Sequence, residues 1–116
     1  MDDLLRHALL YDFYGELLTE HQKEIYEQFV LEDLSLGEIA ADAGISRQGV
    51  HDLVRRCDKT LQGYEDKLHL VSRFLTVKEK IHCINEILDR AEESEGSMAR
   101  LKADIRRVSD EIIEEL

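Results

Sequence analysis

Residues 35–61 read SLGEIAADAGISRQGVHDLVRRCDKTL, and this stretch decides the fold. Two short helices meet at the helix-turn-helix angle only when certain positions are apolar, one is small, and the turn admits a left-handed residue. Ile39 and Ala43 give the first of these helices its expected buried face, and Ala40 is small enough for close approach. Gly44 sits at the turn, and Ile45 follows as a plug between the helices. Val50, Leu53 and Val54 supply the inward face of the second helix. Ser35 with Glu38 three residues on has the form of a capping box, and Ser46 is placed to cap a helix opening at Arg47. An arbitrary helical hairpin needs no such combination of small residue, glycine and following isoleucine. The stretch reads as a helix-turn-helix from Ser35 to Leu61.

Outward from it, the chain of 116 residues has no proline, few glycines and 35% charged residues, a composition that favours helix nearly throughout. Upstream, a helix is expected over about Asp2 to Leu17, with Leu5, Leu9, Leu10, Phe13 and Leu17 as its apolar stripe. Thr19 and Gln22 form a second capping box before a helix carrying Ile25, Tyr26, Phe29 and Val30. Each good cap stabilises its helix by about 1 kcal/mol, so three of them fix the boundaries well. Downstream, Val50, Val54, Cys57, Leu61, Tyr64, Leu68, Val71 and Leu75 repeat in steps of four and three. This heptad-like seam predicts a long continuation of the second helix. Phe74, Val77, Ile81, Ile84 and Leu88 then continue on a shifted register, with a break expected near Thr76, where Glu79 completes another capping box. Arg90 to Ser97 reads as a polar linker with Gly96. A last helix, Met98 to Leu116, places Leu101, Ile105, Val108, Ile112 and Leu116 on one face.

The expected organisation is an N-terminal helical and helix-turn-helix domain over 1–61, followed by an extended helical region over 62–116. Leu61, Tyr64, Leu68, Val71 and Leu75 form a candidate dimer seam. A second copy is the expected partner; packing against the first helix and the tail is the alternative. No apolar run approaches the roughly 18 residues that cross a bilayer, and Met1-Asp2-Asp3 lacks a signal peptide's basic start. A cytoplasmic protein is expected, with Cys57 and Cys83 as reduced core thiols.

The net charge of −11 is uneven. Residues 1–34 carry 9 acids and 2 bases, and the tail 92–116 carries 8 and 4. Residues 35–61 carry 4 of each, and 62–91 carry 5 of each. Nucleic-acid binding usually rests on a basic face, which this count does not advertise. In such motifs the start of the second helix meets the major groove. Arg47, Gln48, His51 and Arg55 are the candidate base readers there, and Arg55, Arg56 and Lys59 the candidate phosphate contacts. Asp52 and Asp58 in the same stretch oppose that role, and Gly49 costs the helix about 1 kcal/mol relative to alanine. No nucleophile motif, phosphate-binding glycine loop or metal-spaced cysteine pair is present. His7, His21, His51, His69 and His82 are scattered, so neither catalysis nor a metal or cofactor is expected.

Leu18-Thr19 through Gln22, Asp33-Leu34-Ser35-Leu36, Glu38-Ile39-Ala40, Ile45-Ser46-Arg47-Gln48 and Val50 are similar to region four of bacterial sigma factors. With Tyr11-Asp12-Phe13-Tyr14-Gly15, Leu17-Leu18-Thr19 and Tyr64-Glu65-Asp66-Lys67-Leu68, the chain more specifically resembles the YlxM family over about residues 10 to 70. It departs from that pattern at Gly49, where alanine would be expected. The resemblance implies a small protein of mainly Gram-positive bacteria, encoded beside the protein components of the signal recognition particle, that regulates or assists protein targeting. Its implied partners are the particle's protein or RNA; a sequence-specific DNA-binding regulator is the alternative.

Overall fold

The computed structural model describes residues 3–93 and 98–116, with the backbone alone at 92 and 93. Among the described residues the chain is all helical: α1 (Asp3–Tyr14), a 3-10 turn (Gly15–Leu17), α2 (Glu20–Val30), α3 (Leu36–Ala43), α4 (Arg47–Leu68), α5 (Leu70–Glu93) and α6 (Met98–Glu115). They divide into two compact units, Met1–Val71 and Ser72–Leu116. Of the expected linker from Arg90 to Ser97, residues 90–93 belong to α5 and residues 94–97 lie outside the described residues.

The caps read at Thr19, Ser35 and Ser46 form. Thr19 Oγ1 accepts from the Gln22 amide at 3.2 Å while the Gln22 side chain accepts from the Thr19 amide at 3.0 Å. Ser35 and Glu38 reciprocate in the same way. Ser46 Oγ accepts from the Gly49 amide at 2.9 Å and opens α4. Gly44 ends α3 at φ 72, the left-handed conformation glycine adopts without a Cβ penalty.

The core of the first unit is built from Leu10, Tyr14, Leu18, Ile25, Tyr26, Val30, Ile39, Ala40, Val50, Val54, Cys57 and Leu61. Its α1 face differs from the expected stripe. Leu5, Phe13 and Leu17 are exposed, and Leu10 with Tyr14 points inward. The reason lies in the phenols: Tyr14 and Tyr26 are buried, Tyr11 is half-buried, and each hydroxyl finds a carboxylate. Tyr11 donates to Glu27, tying α1 to α2. Tyr14 donates to Glu65 at 2.6 Å, tying α1 to α4. Tyr26 donates to Asp58 at 2.5 Å, tying α2 to α4. The Tyr11 and Tyr26 rings stack with centroids 5.7 Å apart. Gly15 makes room for this: a Cβ there would stand 2.8 Å from the Tyr11 ring.

Two helix-turn-helix positions differ as well. Ala43 is exposed, so Ile39 and Ala40 alone carry the buried face of α3, and Ile45 is partly exposed rather than sealed between the helices. Ile45 still lies beside the start of α4, its Cδ1 3.8 Å from where a Gly49 Cβ would sit.

The expected break near Thr76 falls instead at His69, which takes a left-handed φ of 57 between α4 and α5. Thr76 and Glu79 lie inside the continuous α5. A new helix must satisfy its first amides, and here α1 and α4 supply the acceptors. Tyr14 Oη accepts from the Leu70 amide at 3.1 Å, and Glu65 Oε1 accepts from the Val71 amide at 2.9 Å. The second helix therefore continues past Leu61 as far as Leu68, and α5 follows as a separate helix. Leu61 and Val71 are buried, Leu68 is exposed, Leu75 is half-buried, and Tyr64 is half-buried with its ring 6.0 Å from that of Tyr14.

Candidate nucleic-acid interface

With Val50, Val54, Cys57 and Leu61 turned inward, the helical period places Gln48, Asp52, Arg55 and Lys59 along the opposite side of α4. Arg47, Gln48, His51, Arg55, Arg56 and Lys59 are all exposed. Arg47 stands at one edge of this face and lies over α3, its Nε 3.8 Å from where a Gly37 Cβ would sit.

The base-reading pair is engaged within the helix itself. Gln48 Nε2 donates to Asp52 Oδ1 at 3.0 Å, and His51 Nδ1 stands 3.8 Å from the same oxygen. A base edge competing for Gln48 would have to break that bond in the presence of an anion, a poor arrangement for sequence readout. Among the described residues, by contrast, Arg47, Arg55, Arg56 and Lys59 enter no ion pair.

The acids that make residues 35–61 neutral by count are mostly occupied elsewhere. Asp58 turns inward to the Tyr26 hydroxyl, with His7 Nε2 3.7 Å away, and so does not oppose a phosphate on the outer face. Glu38 caps α3, and Asp42 accepts from Gln28 at 3.2 Å. Asp52 is the acid left in the row. The outer face of α4 thus carries fewer acids than the count over residues 35–61 suggests, because Asp58 turns to Tyr26 while Glu38 and Asp42 lie on α3. The inward bond of Asp58 was not readable locally, since Tyr26 is 32 residues away.

Among the described residues, no cluster of three His, Cys, Asp or Glu side chains has metal-binding geometry, and no helix is long and apolar enough to cross a membrane. Burial, with a smaller contribution from Asp58, pushes the Cys57 thiol up to about 11, so it is a core group rather than a nucleophile.

Residues 1–103 match the UPF0122 family, described as "Putative helix-turn-helix protein, YlxM / p13 like". The chain belongs to this family. This YlxM-like chain is similar to a UPF0122 protein of Caldanaerobacter subterraneus subsp. tengcongensis, 49% identical over 87 residues that cover 75% of this chain and 74% of the relative. It is 43% identical over 113 residues to one of Thermoanaerobacter sp. strain X514, covering 97% and 96% of the two chains. A relative from Symbiobacterium thermophilum is 45% identical over 106 residues, covering 90% and 99%. The YlxM-like description agrees with the helix-turn-helix geometry of α3 and α4, a kind of fold not built around catalysis.

Proposed function

We propose that this chain is a non-catalytic, cytoplasmic regulator or adaptor of the signal recognition particle pathway, and that the outer face of α4 meets the phosphates of the particle's RNA. One observation carries the phosphate part of this reading. Four exposed cations, Arg47, Arg55, Arg56 and Lys59, are left without ion pairs among the described residues, while Gln48 and His51 are drawn to Asp52. Cations on a helix without free amide readers suit backbone contact, which positions a protein without specifying sequence. The targeting pathway itself comes from the resemblance to YlxM proteins. The acidic excess of residues 1–34 repels nucleic acid and confines such contact to the α4 face.

A sequence-specific DNA-binding regulator is the second reading, favoured by the exposure of Arg47 and Arg55 on a complete helix-turn-helix. The two separate when the chain is offered, at physiological salt, the particle's protein, its RNA, its receptor, and its own promoter DNA. Retention on a particle component, with no preference among DNA sequences, is the expected result. Failure of protein, RNA and receptor alike, with specific promoter binding lost in Arg47→Ala, would establish the DNA reading instead.

A further inference from the structure

The second unit, Ser72–Leu116, carries on α5 an apolar row whose Ile81 and Leu88 are exposed. Phe74, Val77, Ile81, Ile84 and Leu88 follow one another on α5 in steps of three and four, the spacing of a two-helix seam. Ile81 is 49% exposed and Leu88 41%, while Val77 and Ile84 are half-buried. Among the described residues of this unit, Val108 on α6 is the one fully buried side chain. An ion pair of 2.9 Å between Lys80 and Glu111 links α5 to α6, but it is a surface contact and replaces no core. A unit of this size with so little buried apolar area does not hold two helices in place by itself, since helical stability comes mainly from packing of an apolar face.

Charge selects what covers the row. From Leu70 to Ile81, Arg73, Lys78 and Lys80 outweigh Glu79. From His82 to Arg90, Glu86 and Asp89 outweigh Arg90. The same helix laid antiparallel places basic half against acidic half at both ends; laid parallel, it places like against like. We propose that a second copy of this chain covers the row, with two α5 helices antiparallel and Ile81 near the two-fold axis. The interface is therefore on α5 rather than on the run from Leu61 to Leu75, where Leu61 and Val71 already belong to the first unit's core.

Sedimentation equilibrium of the full chain tests this. The expected mass is twice 13.5 kDa at micromolar concentration. Ile81→Lys is expected to weaken association at least 100-fold while the first unit keeps its cooperative thermal transition. Leu31→Lys, at an equally exposed apolar position in the first unit (53%), leaves the dimer intact. Order is read by cross-linking Arg73→Cys in a Cys83→Ser background. In the antiparallel pair the two copies of residue 73 stand about 24 Å apart along the axis, at 1.5 Å per residue from Ile81, and form no disulfide with each other. A wild-type chain that sediments at 13.5 kDa at 100 times that concentration, or an Ile81→Lys chain that stays dimeric, overturns the interface. Ready self-cross-linking of Arg73→Cys overturns the antiparallel order.

Discussion

Cys57 and Cys83 carry the same thiol in different settings. Cys57 is fully buried with its thiol pushed up to about 11, whereas Cys83 is half-buried on α5. Alkylation at neutral pH, followed by mass spectrometry, is expected to label Cys83 first and Cys57 only under denaturing conditions; equal rates would contradict the packed core around α4. Asp52 is the other decisive single residue. Asp52→Asn removes the negative charge between Gln48 and Arg55 and loosens Gln48 and His51, so nucleic-acid affinity in an anisotropy titration should rise several-fold. No change would mean that the α4 face is not in contact. Gly44→Ala meets no steric obstacle, since nothing lies within 4 Å of the added Cβ. The cost is then purely that of a left-handed alanine, about 1–2 kcal/mol in denaturant unfolding.

At the scale of elements, three phenol–carboxylate bonds connect α1, α2 and α4 pairwise, and this gives the first unit an alkaline limit. Burial first, then the hydrogen bond to Glu27, Glu65 or Asp58, raises the pKa values of Tyr11, Tyr14 and Tyr26 above the ordinary 10.0. A phenol whose folded pKa exceeds its unfolded value holds its proton longer when folded. Its contribution is complete below pH 10.0 and declines as pH rises past that value. Thermal melts should therefore show no tyrosine-linked loss below about pH 10 and fall above it, with tyrosinate absorbance appearing together with loss of helix. Tyr14→Phe removes the acceptor of the Leu70 amide and the donor to Glu65 together, and should cost about 1–3 kcal/mol. The helix starts were legible because a cap and its partner lie three residues apart. The α1 face and the His69 break were not, because Tyr14 meets Glu65 and Leu70 across 51 and 56 residues. Periodicity alone favoured the aliphatic residues of α1; it carried no sign that buried tyrosines would find carboxylates on other helices.

For the whole molecule, net charge and the local charge of the α4 face differ. A chain at −11 repels nucleic acid at long range, yet α4 assembles its cations on the outer side while Asp58, Glu38 and Asp42 are bonded elsewhere. The helix-turn-helix was legible in the sequence, and Arg47, Gln48, His51, Arg55, Arg56 and Lys59 are exposed on α4. What counting acids could not reveal was where Asp58 points, because that depends on a Tyr26 hydroxyl brought in by α2. The most direct measurement is the salt dependence of binding to the signal recognition particle RNA, for wild type, Gln48→Ala and the Arg55→Ala/Lys59→Ala pair. Neutralising four phosphates gives a log–log slope of about −3 for wild type, roughly halved in the double variant. Gln48→Ala should bind as wild type does. A flat salt profile, or Gln48→Ala alone abolishing binding, would contradict a phosphate-contacting role for α4.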